Sequence, residues 1–137
     1  MPVTLHVELV VPDREVWSGS ARMVIAKTLD GDLGVLSSHP PVLGLLAAGS
    51  LVRILDPEAS GDQGGSGEVT AAVSSGFFSV ANDRVSILAR EAVLGRDVDV
   101  AAIRAELESA TENAAGGEES AAVTYARARL RAAGEQA

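Results

Sequence analysis

The stretch VTAAVSSGFFSVANDRVSILA, residues 69–89, contains three short strand patterns rich in valine and other apolar residues, at 69–74, 76–81 and 84–89. The bend Ser74-Ser75-Gly76 and the turn Asn82-Asp83 separate them. Short strands with turn signals at intervals of about eight to twelve residues are typical of a sandwich or barrel. This stretch therefore predicts an all-β unit, and the rest of the chain is interpreted outward from it.

The same pattern extends back to the start of the chain. Apolar and polar residues alternate over 5–11, as in a half-buried strand, and Pro12-Asp13 ends the pattern. Five more strands are predicted at 14–18, 22–29, 34–36, 43–47 and 50–55. Residues 56–68, DPEASGDQGGSGE, are polar and glycine-rich, which predicts a mobile hairpin loop.

Composition changes near residue 100. Residues 1–100 hold 16 Val and 10 Ala, whereas 101–137 hold 1 Val and 13 Ala, a change from strand-like to helix-like composition. Two stripes with the same 3-4-3 spacing follow, and each predicts an amphipathic helix: Val100, Ile103, Leu107, Ala110 and Val123, Ala126, Leu130, Ala133. Asp97 or Asp99 can cap the first helix, and the glycines of NAAGG at 113–117 can end it. An antiparallel helical hairpin of marginal stability is expected.

Charge and residue inventory exclude several functions. Eleven Lys+Arg against nineteen Asp+Glu give a net charge of −8, which argues against a nucleic-acid partner. With no cysteine and two histidines, thiolate sites and most zinc sites are excluded. Neither a signal peptide nor a membrane span is predicted. No cofactor, metal or catalytic residue is expected.

His39 and the pair Asp30 and Asp32 are the polar residues that require a closer look. His39 lies in Ser-Ser-His-Pro-Pro, a loop held by two prolines, where it either bonds to backbone or contacts a partner. Asp30 and Asp32 flank Gly31 in an exposed turn, which favours solvated turn formers over acid/base catalysis. Neither feature indicates an enzyme.

Three arginines form the one basic cluster of this acidic sequence. Arg127 and Arg131 share a helix face at i, i+4, while Arg129 points away from that face. In one interpretation the cluster is a solvated face partly neutralised by Glu106, Glu108 and Glu112 of the other helix. In the other, these arginines leave that weak pairing for an acidic surface on a partner.

Strings along nearly the whole chain now identify a family. They are WSG at 17–19, DGDLGVL at 30–36 with His39 after it, SGFFSV at 75–80, VSILA at 85–89 and YARA at 125–128. In this order and spacing the sequence resembles the epsilon subunit of bacterial F-type ATP synthases. The resemblance implies an α+β chain with three parts: an N-terminal antiparallel β-sandwich at 1–90, a linker at 91–97 and a C-terminal helical hairpin at 98–137.

The resemblance also implies partners and contact residues. The sandwich would grip the gamma subunit and rest on the c-ring, with Asp32, Ser38 and His39 as contacts. The hairpin would fold on the sandwich or extend into the catalytic alpha/beta head, where Arg127 and Arg131 would restrain ATP hydrolysis. The chain would lie on the cytoplasmic face of the bacterial plasma membrane as a peripheral subunit, meeting the membrane only through the complex.

Two alternatives remain open. Some family members bind ATP through an Ile/Leu-Asp-x-x-Arg-Ala string on the first hairpin helix and arginines on the second. The same property would make this chain a nucleotide-binding regulatory module that senses ATP through its hairpin arginines. Here Asp99 matches, but Arg104 lies two positions late, a rotation of about 200° around a helix. A sandwich adaptor unrelated to any rotor is the second alternative.

Overall fold

The computed structural model describes residues 4–56, 67–112 and 121–136. The predicted loop at 56–68 and the NAAGG helix end lie largely or wholly outside these ranges. The strands are β1 (Leu5–Val11), β2 (Arg14–Ala21), β3 (Met23–Thr28), β4 (Gly31–Leu36), β5 (Val42–Leu45), β6 (Ser50–Leu55), β7 (Glu68–Val73), β8 (Gly76–Ala81), β9 (Arg84–Ala89) and β10 (Ala92–Leu94). A 3-10 turn at Gly95–Asp97 precedes α1 (Val100–Glu112) and α2 (Ala121–Ala132).

These strands form two five-stranded sheets. Sheet A has the order β2-β1-β9-β8-β5, and sheet B has the order β10-β7-β6-β3-β4. All neighbouring strands pair antiparallel except β1 and β9, which run parallel. The predicted sandwich followed by two helices is confirmed, and all nine predicted strands are present with shifts of a few residues at their ends.

The tenth strand lies where the sequence predicts a linker. Residues Ala92–Leu94 pair with β7 at the edge of sheet B, so the segment 91–97 contributes to the sandwich. A strand of three residues is too short to show alternation, which is why its sequence carries no strand signal.

The core fills the space between the two sheets. Along β1 the burial alternates, with Leu5, Val7, Leu9 and Val11 facing inward. Every buried member of this main cluster lies between Leu5 and Leu94, so neither helix contributes to it. The sandwich therefore owes its core to its own strands.

The sandwich has two opposite ends. At the Asp32 end, the turn between β3 and β4 meets the end of β5 through a bridge between Thr28 and Leu46. At the His39 end, residues 37–41 cross from sheet B to sheet A beside the turn between β8 and β9, which contains Asp83. β4 runs from one end to the other.

Candidate interaction surfaces

The turn between β3 and β4 presents Asp32 to solvent. The Thr28 hydroxyl donates a hydrogen bond to the Gly31 carbonyl at 2.8 Å and accepts one from the Asp30 amide at 3.1 Å. Gly31 has φ +119°, in the region that favours glycine. Asp32 follows it in β4, directly opposite Lys27. The local bonds fix the turn, and the exposed carboxylate is left available for a contact.

The loop at the His39 end is held by a single carboxylate. Asp83 accepts the Ser38 amide at 2.5 Å and the Ser37 hydroxyl at 3.2 Å. Ser38 itself adopts a left-handed conformation, φ 69°. The His39 ring lies 2.7 Å from the Pro40 carbonyl through Nδ1, and since a carbonyl can only accept, Nδ1 carries the proton. Nε2 is the ring nitrogen of His39 that is left for a contact with a partner.

Asp32 and the Ser38-His39 pair do not share one contact surface. Asp32 and Leu36 are four residues apart along β4, about 13 Å at the usual strand rise, and the Ser38-His39 turn lies beyond Leu36. The sequence grouped these three residues as one contact set, but the structure places them at opposite ends of the sandwich.

An exposed apolar patch covers part of the outer face of sheet A at the Asp32 end. Leu45, Phe77 and Leu88 lie side by side across β5, β8 and β9, with 58%, 44% and 40% of their surface exposed. Leu43, on the same face of β5, and Leu29, in the nearby turn, are 72% and 68% exposed. We call these five residues the apolar patch. Contiguous exposed apolar surface is a feature that interaction sites commonly share.

Two shallow cavities border the apolar patch. One, of about 550 Å³, lies between Val10, Pro12, Phe77 and Leu88. The other, of about 420 Å³, opens between the edge strands β4 and β5, where Leu29, Leu43 and Leu45 surround it with Asp30 and Asp32 at its rim. The patch therefore combines concave apolar surface with the acidic side chains of Asp30 and Asp32 at its edge.

The two helices form an antiparallel pair joined by ion pairs. Arg129 donates to both carboxylate oxygens of Glu106, at 2.7 and 3.3 Å, and its guanidinium lies 4.4 Å from the centre of the Tyr125 ring. The arginine that the sequence turned away from the shared face is thus the one that pairs with Glu106. Arg127 is half-buried and engaged in an interaction of its own.

The two candidate nucleotide contacts have structural partners within the hairpin. Asp99 caps α1, accepting the Ala102 amide at 3.1 Å, as predicted. Arg104 donates to Glu135 at 2.7 Å across the hairpin. Neither side chain lines the two cavities beside the apolar patch.

α2 is the helix that packs against the sandwich. It covers the outer face of sheet B, where Tyr125 and Ala128 bury Ala72 of β7. α1 has no buried residue, and α2 is the element that it mainly contacts. The hairpin is therefore attached to the sandwich mainly through α2.

Two glycines allow this close approach. A Cβ on Gly95 would lie 1.9 Å from the Ala132 carbonyl oxygen, and one on Gly49 would lie 2.3 Å from the Thr124 methyl carbon. Both distances are far below van der Waals contact, and the Ala132 carbonyl is backbone that cannot move alone. Gly49 and Gly95 thus form the seat of α2.

The pKa of the Tyr125 hydroxyl reports on this packing. Burial against the sandwich raises the pKa above its usual value, and the positive charge of Arg129 opposes the rise. The folded chain therefore favours the neutral phenol. This preference stabilises the fold fully below about pH 10, the pKa of an unfolded tyrosine, and the stabilisation is lost as pH rises through the higher pKa of the folded chain.

The sequence reasoning missed the apolar patch and the α2 seat. One signal for the patch was available, because Phe77 and Phe78 are adjacent in a strand and cannot both face the core. The structure buries Phe78 and exposes Phe77. The seat had no such signal, since Gly49 and Gly95 resemble ordinary turn glycines.

Comparisons with known proteins place the chain in a family. Residues 4–95 match the family model described as ATP synthase, Delta/Epsilon chain, beta-sandwich domain. The ATP synthase epsilon chain of Thermobifida fusca is 53% identical over 131 residues, covering 94% of this chain and 91% of that one. The ATP synthase epsilon chain of Streptomyces griseus is 44% identical over 132 residues, covering 96% and 97%.

Two solved structures share the fold. One is in the Euglena gracilis mitochondrial ATP synthase OSCP/F1/c-ring assembly, with a TM-score of 0.64 at 22% identity, covering 95% of this chain and 77% of that one. The other is in the Tetrahymena thermophila mitochondrial ATP synthase central stalk/c-ring, with a TM-score of 0.51 at 18% identity, covering 94% and 90%. At these identities the likeness concerns the fold alone.

A spectroscopic titration tests the seat of α2. Tyr125 is the only tyrosine, so phenolate absorbance reports on it alone. We expect an apparent pKa above 10 in the native chain, and a value returning toward 10 in Gly95→Ala, whose methyl group displaces α2. Gly34→Ala is the matched control, because its Cβ meets only the flexible end of Met23. Identical titrations of Gly95→Ala and the unmodified chain would contradict the proposed seat.

Proposed function

The chain belongs to the ATP synthase delta/epsilon family, and we propose that it is a central-stalk rotor subunit of a proton-translocating F-type ATP synthase. In this role it couples rotation of the c-ring to ATP synthesis in the catalytic head. The relatives named ATP synthase epsilon chain support this proposal, as do the neighbours described as parts of c-ring assemblies.

The apolar patch is the observation that carries the proposal. Leu45, Phe77 and Leu88 form a row across three strands that are held rigidly by the sheet. A rotor subunit must transmit torque without slipping, which requires a rigid surface that buries apolar area against its partner. We propose that the gamma subunit covers this patch.

The Asp32 end is proposed to face the c-ring. Asp30 and Asp32 are both exposed there, and acidic groups at the rim of an interface favour basic loops and fix their register. Ser38 and His39 lie at the other end, beside the start of β5, and are proposed as gamma contacts. The three residues would then touch two partners from two ends.

No catalytic step is assigned to this chain in the proposal. Coupling needs binding surfaces and stiffness, and the chemistry of ATP synthesis would take place in the alpha/beta head. The described part of the chain has no helix long and apolar enough to cross a membrane. We propose a peripheral position on the cytoplasmic face of the plasma membrane, reached through the complex.

The hairpin is proposed to restrain ATP hydrolysis when it leaves the sandwich. The main core contains no helical residue, so α2 can leave without opening it. α1 is held mainly by α2, and exposed ion pairs such as Arg104–Glu135 contribute little stability. In the extended form, Arg127 and Arg131 would contact an acidic surface of the head.

Charge substitutions in the apolar patch test the gamma contact. Phe77→Glu and Leu45→Glu would each place a carboxylate in a dry interface, and we expect at least about thirtyfold weaker association with a purified gamma subunit. Ala101→Glu is the control, since it adds the same charge at an exposed position of α1, away from sheet A and from the Ser38-His39 loop. Association that is equally tight in all three variants would exclude the patch as the gamma contact.

An ATPase assay on the assembled complex tests the hairpin. We expect faster hydrolysis with a chain lacking residues 96–137, whose sandwich core is intact, than with the full chain. Arg127→Ala with Arg131→Ala should reproduce part of that increase if these side chains hold the inhibited state. Arg22→Ala with Arg84→Ala is the control for lost positive charge. Unchanged rates with the truncated chain would refute the inhibitory role.

A further inference from the structure

A separate cavity lies where the C-terminal turn of α2 meets the uncovered part of sheet B. Its volume is about 310 Å³, at the lower end of the range for ligand pockets. β3, β6 and α2 contribute one cation each, Lys27, Arg53 and Arg131. Half-buried Ile25 and Leu51 supply its apolar wall.

Two of these three cations have no partner in the described chain. Within residues 4–56, 67–112 and 121–136, the side chains of Lys27 and Arg131 make no hydrogen bond or ion pair. Arg53 differs, since it binds both carboxylate oxygens of Glu68, at 3.0 and 2.8 Å. That pair holds the pKa of Glu68 below its usual value and raises that of Arg53.

Lys27 and Arg131 are two unpaired cations that line one cavity. Arg14, Arg84 and Arg90 also make no ion pair among the described residues, but none of them lines this cavity. Other arginines meet carboxylates directly, as in Arg22 with Asp56, Arg104 with Glu135 and Arg129 with Glu106. Two like charges facing the same small space repel each other unless an anion lies between them. Asp32 lines the same cavity, but it is placed directly opposite Lys27 in the sheet and gives Arg131 no ion pair.

We propose that this cavity binds the phosphoryl group of a small anion. A phosphoryl group can accept bonds from both Lys27 and Arg131, while Glu68 neutralises Arg53 and Asp32 offsets one of the two remaining positive charges. Asp32 limits the number of negative charges that the site accepts, which favours one phosphoryl group over a longer polyphosphate. The ligand is either a free phosphate ester or a lipid headgroup, which carry the same chemistry.

The site differs from the Asp99 and Arg104 pair on α1 and is independent of the rotor role. No residue of α1 lines this cavity. Because Arg131 comes from α2 and Lys27 from β3, the complete site exists only while α2 lies on the sandwich. Binding by the purified chain can therefore succeed or fail whatever its assembly partners are.

Calorimetric titration of the full chain with inorganic phosphate and with pyrophosphate tests the proposal. We expect saturable binding that weakens at least about tenfold in Lys27→Gln and in Arg131→Gln, since each removes a charge-assisted hydrogen bond. Arg84→Gln, an exposed arginine away from the cavity, is the control. Asp32→Asn should tighten binding, whereas Asp30→Asn, the same change two residues away, should not.

Flotation with phosphatidylglycerol and phosphatidylcholine vesicles distinguishes the two sources. If the chain binds phosphate or pyrophosphate and Lys27→Gln weakens that binding, the ligand is a free phosphate compound. If the chain binds only phosphatidylglycerol vesicles and Lys27→Gln abolishes that binding, the ligand is a lipid headgroup. No saturable binding in either assay would overturn the proposal. Binding that Arg84→Gln weakens as much as Lys27→Gln would also overturn it, because it would reflect overall charge.

Discussion

The packing of α2 against the outer face of sheet B determines which surfaces of this chain are open to a partner. Tyr125 and Ala128 bury Ala72, and the approach is close because Gly49 and Gly95 have no side chain in the way. α2 also buries Val123, Ala126 and Leu130, so its contact combines an apolar stripe with the close approach that the two glycines allow. A helix held in this way can be released by a small change at its seat.

The two outer faces of the sandwich therefore differ. Sheet B carries the chain's own helix, which leaves the cavity beside Lys27 at its border. Sheet A carries no helix and exposes the row of Leu45, Phe77 and Leu88. α2 covers the outer face of sheet B, and the outer face of sheet A is exposed. The chain can therefore bind a stalk partner through sheet A while its hairpin stays on sheet B.

Periodicity predicted much of this architecture because burial between two sheets imposes a period of two on strand after strand. The helical stripe of α2 was also predictable, and Val123, Ala126 and Leu130 are buried. Features that depend on contact between distant elements left no periodic signal. β10 is too short to alternate, and the significance of Gly95 appears only when Ala132 lies against it.

The candidate contact residues show the same limit. The sequence marked Asp32, Ser38 and His39 by local motifs, but their separation to opposite ends follows from the direction of β4. Among the arginines, helical spacing correctly separated Arg129 from the face of Arg127 and Arg131. Which face meets α1 depends on the rotation of α2 about its axis, and that is set by the sandwich.

The central claim is that a stalk partner covers sheet A while α2 stays on sheet B, and hydroxyl-radical footprinting of the chain, free and bound to gamma, tests it most directly. Oxidation of Leu45, Phe77 and Leu88 should fall strongly on binding, while Leu51, half-buried on sheet B against Tyr125 and Ala128, should react as before. Equal oxidation of the three patch residues in the free and bound chain would contradict the account.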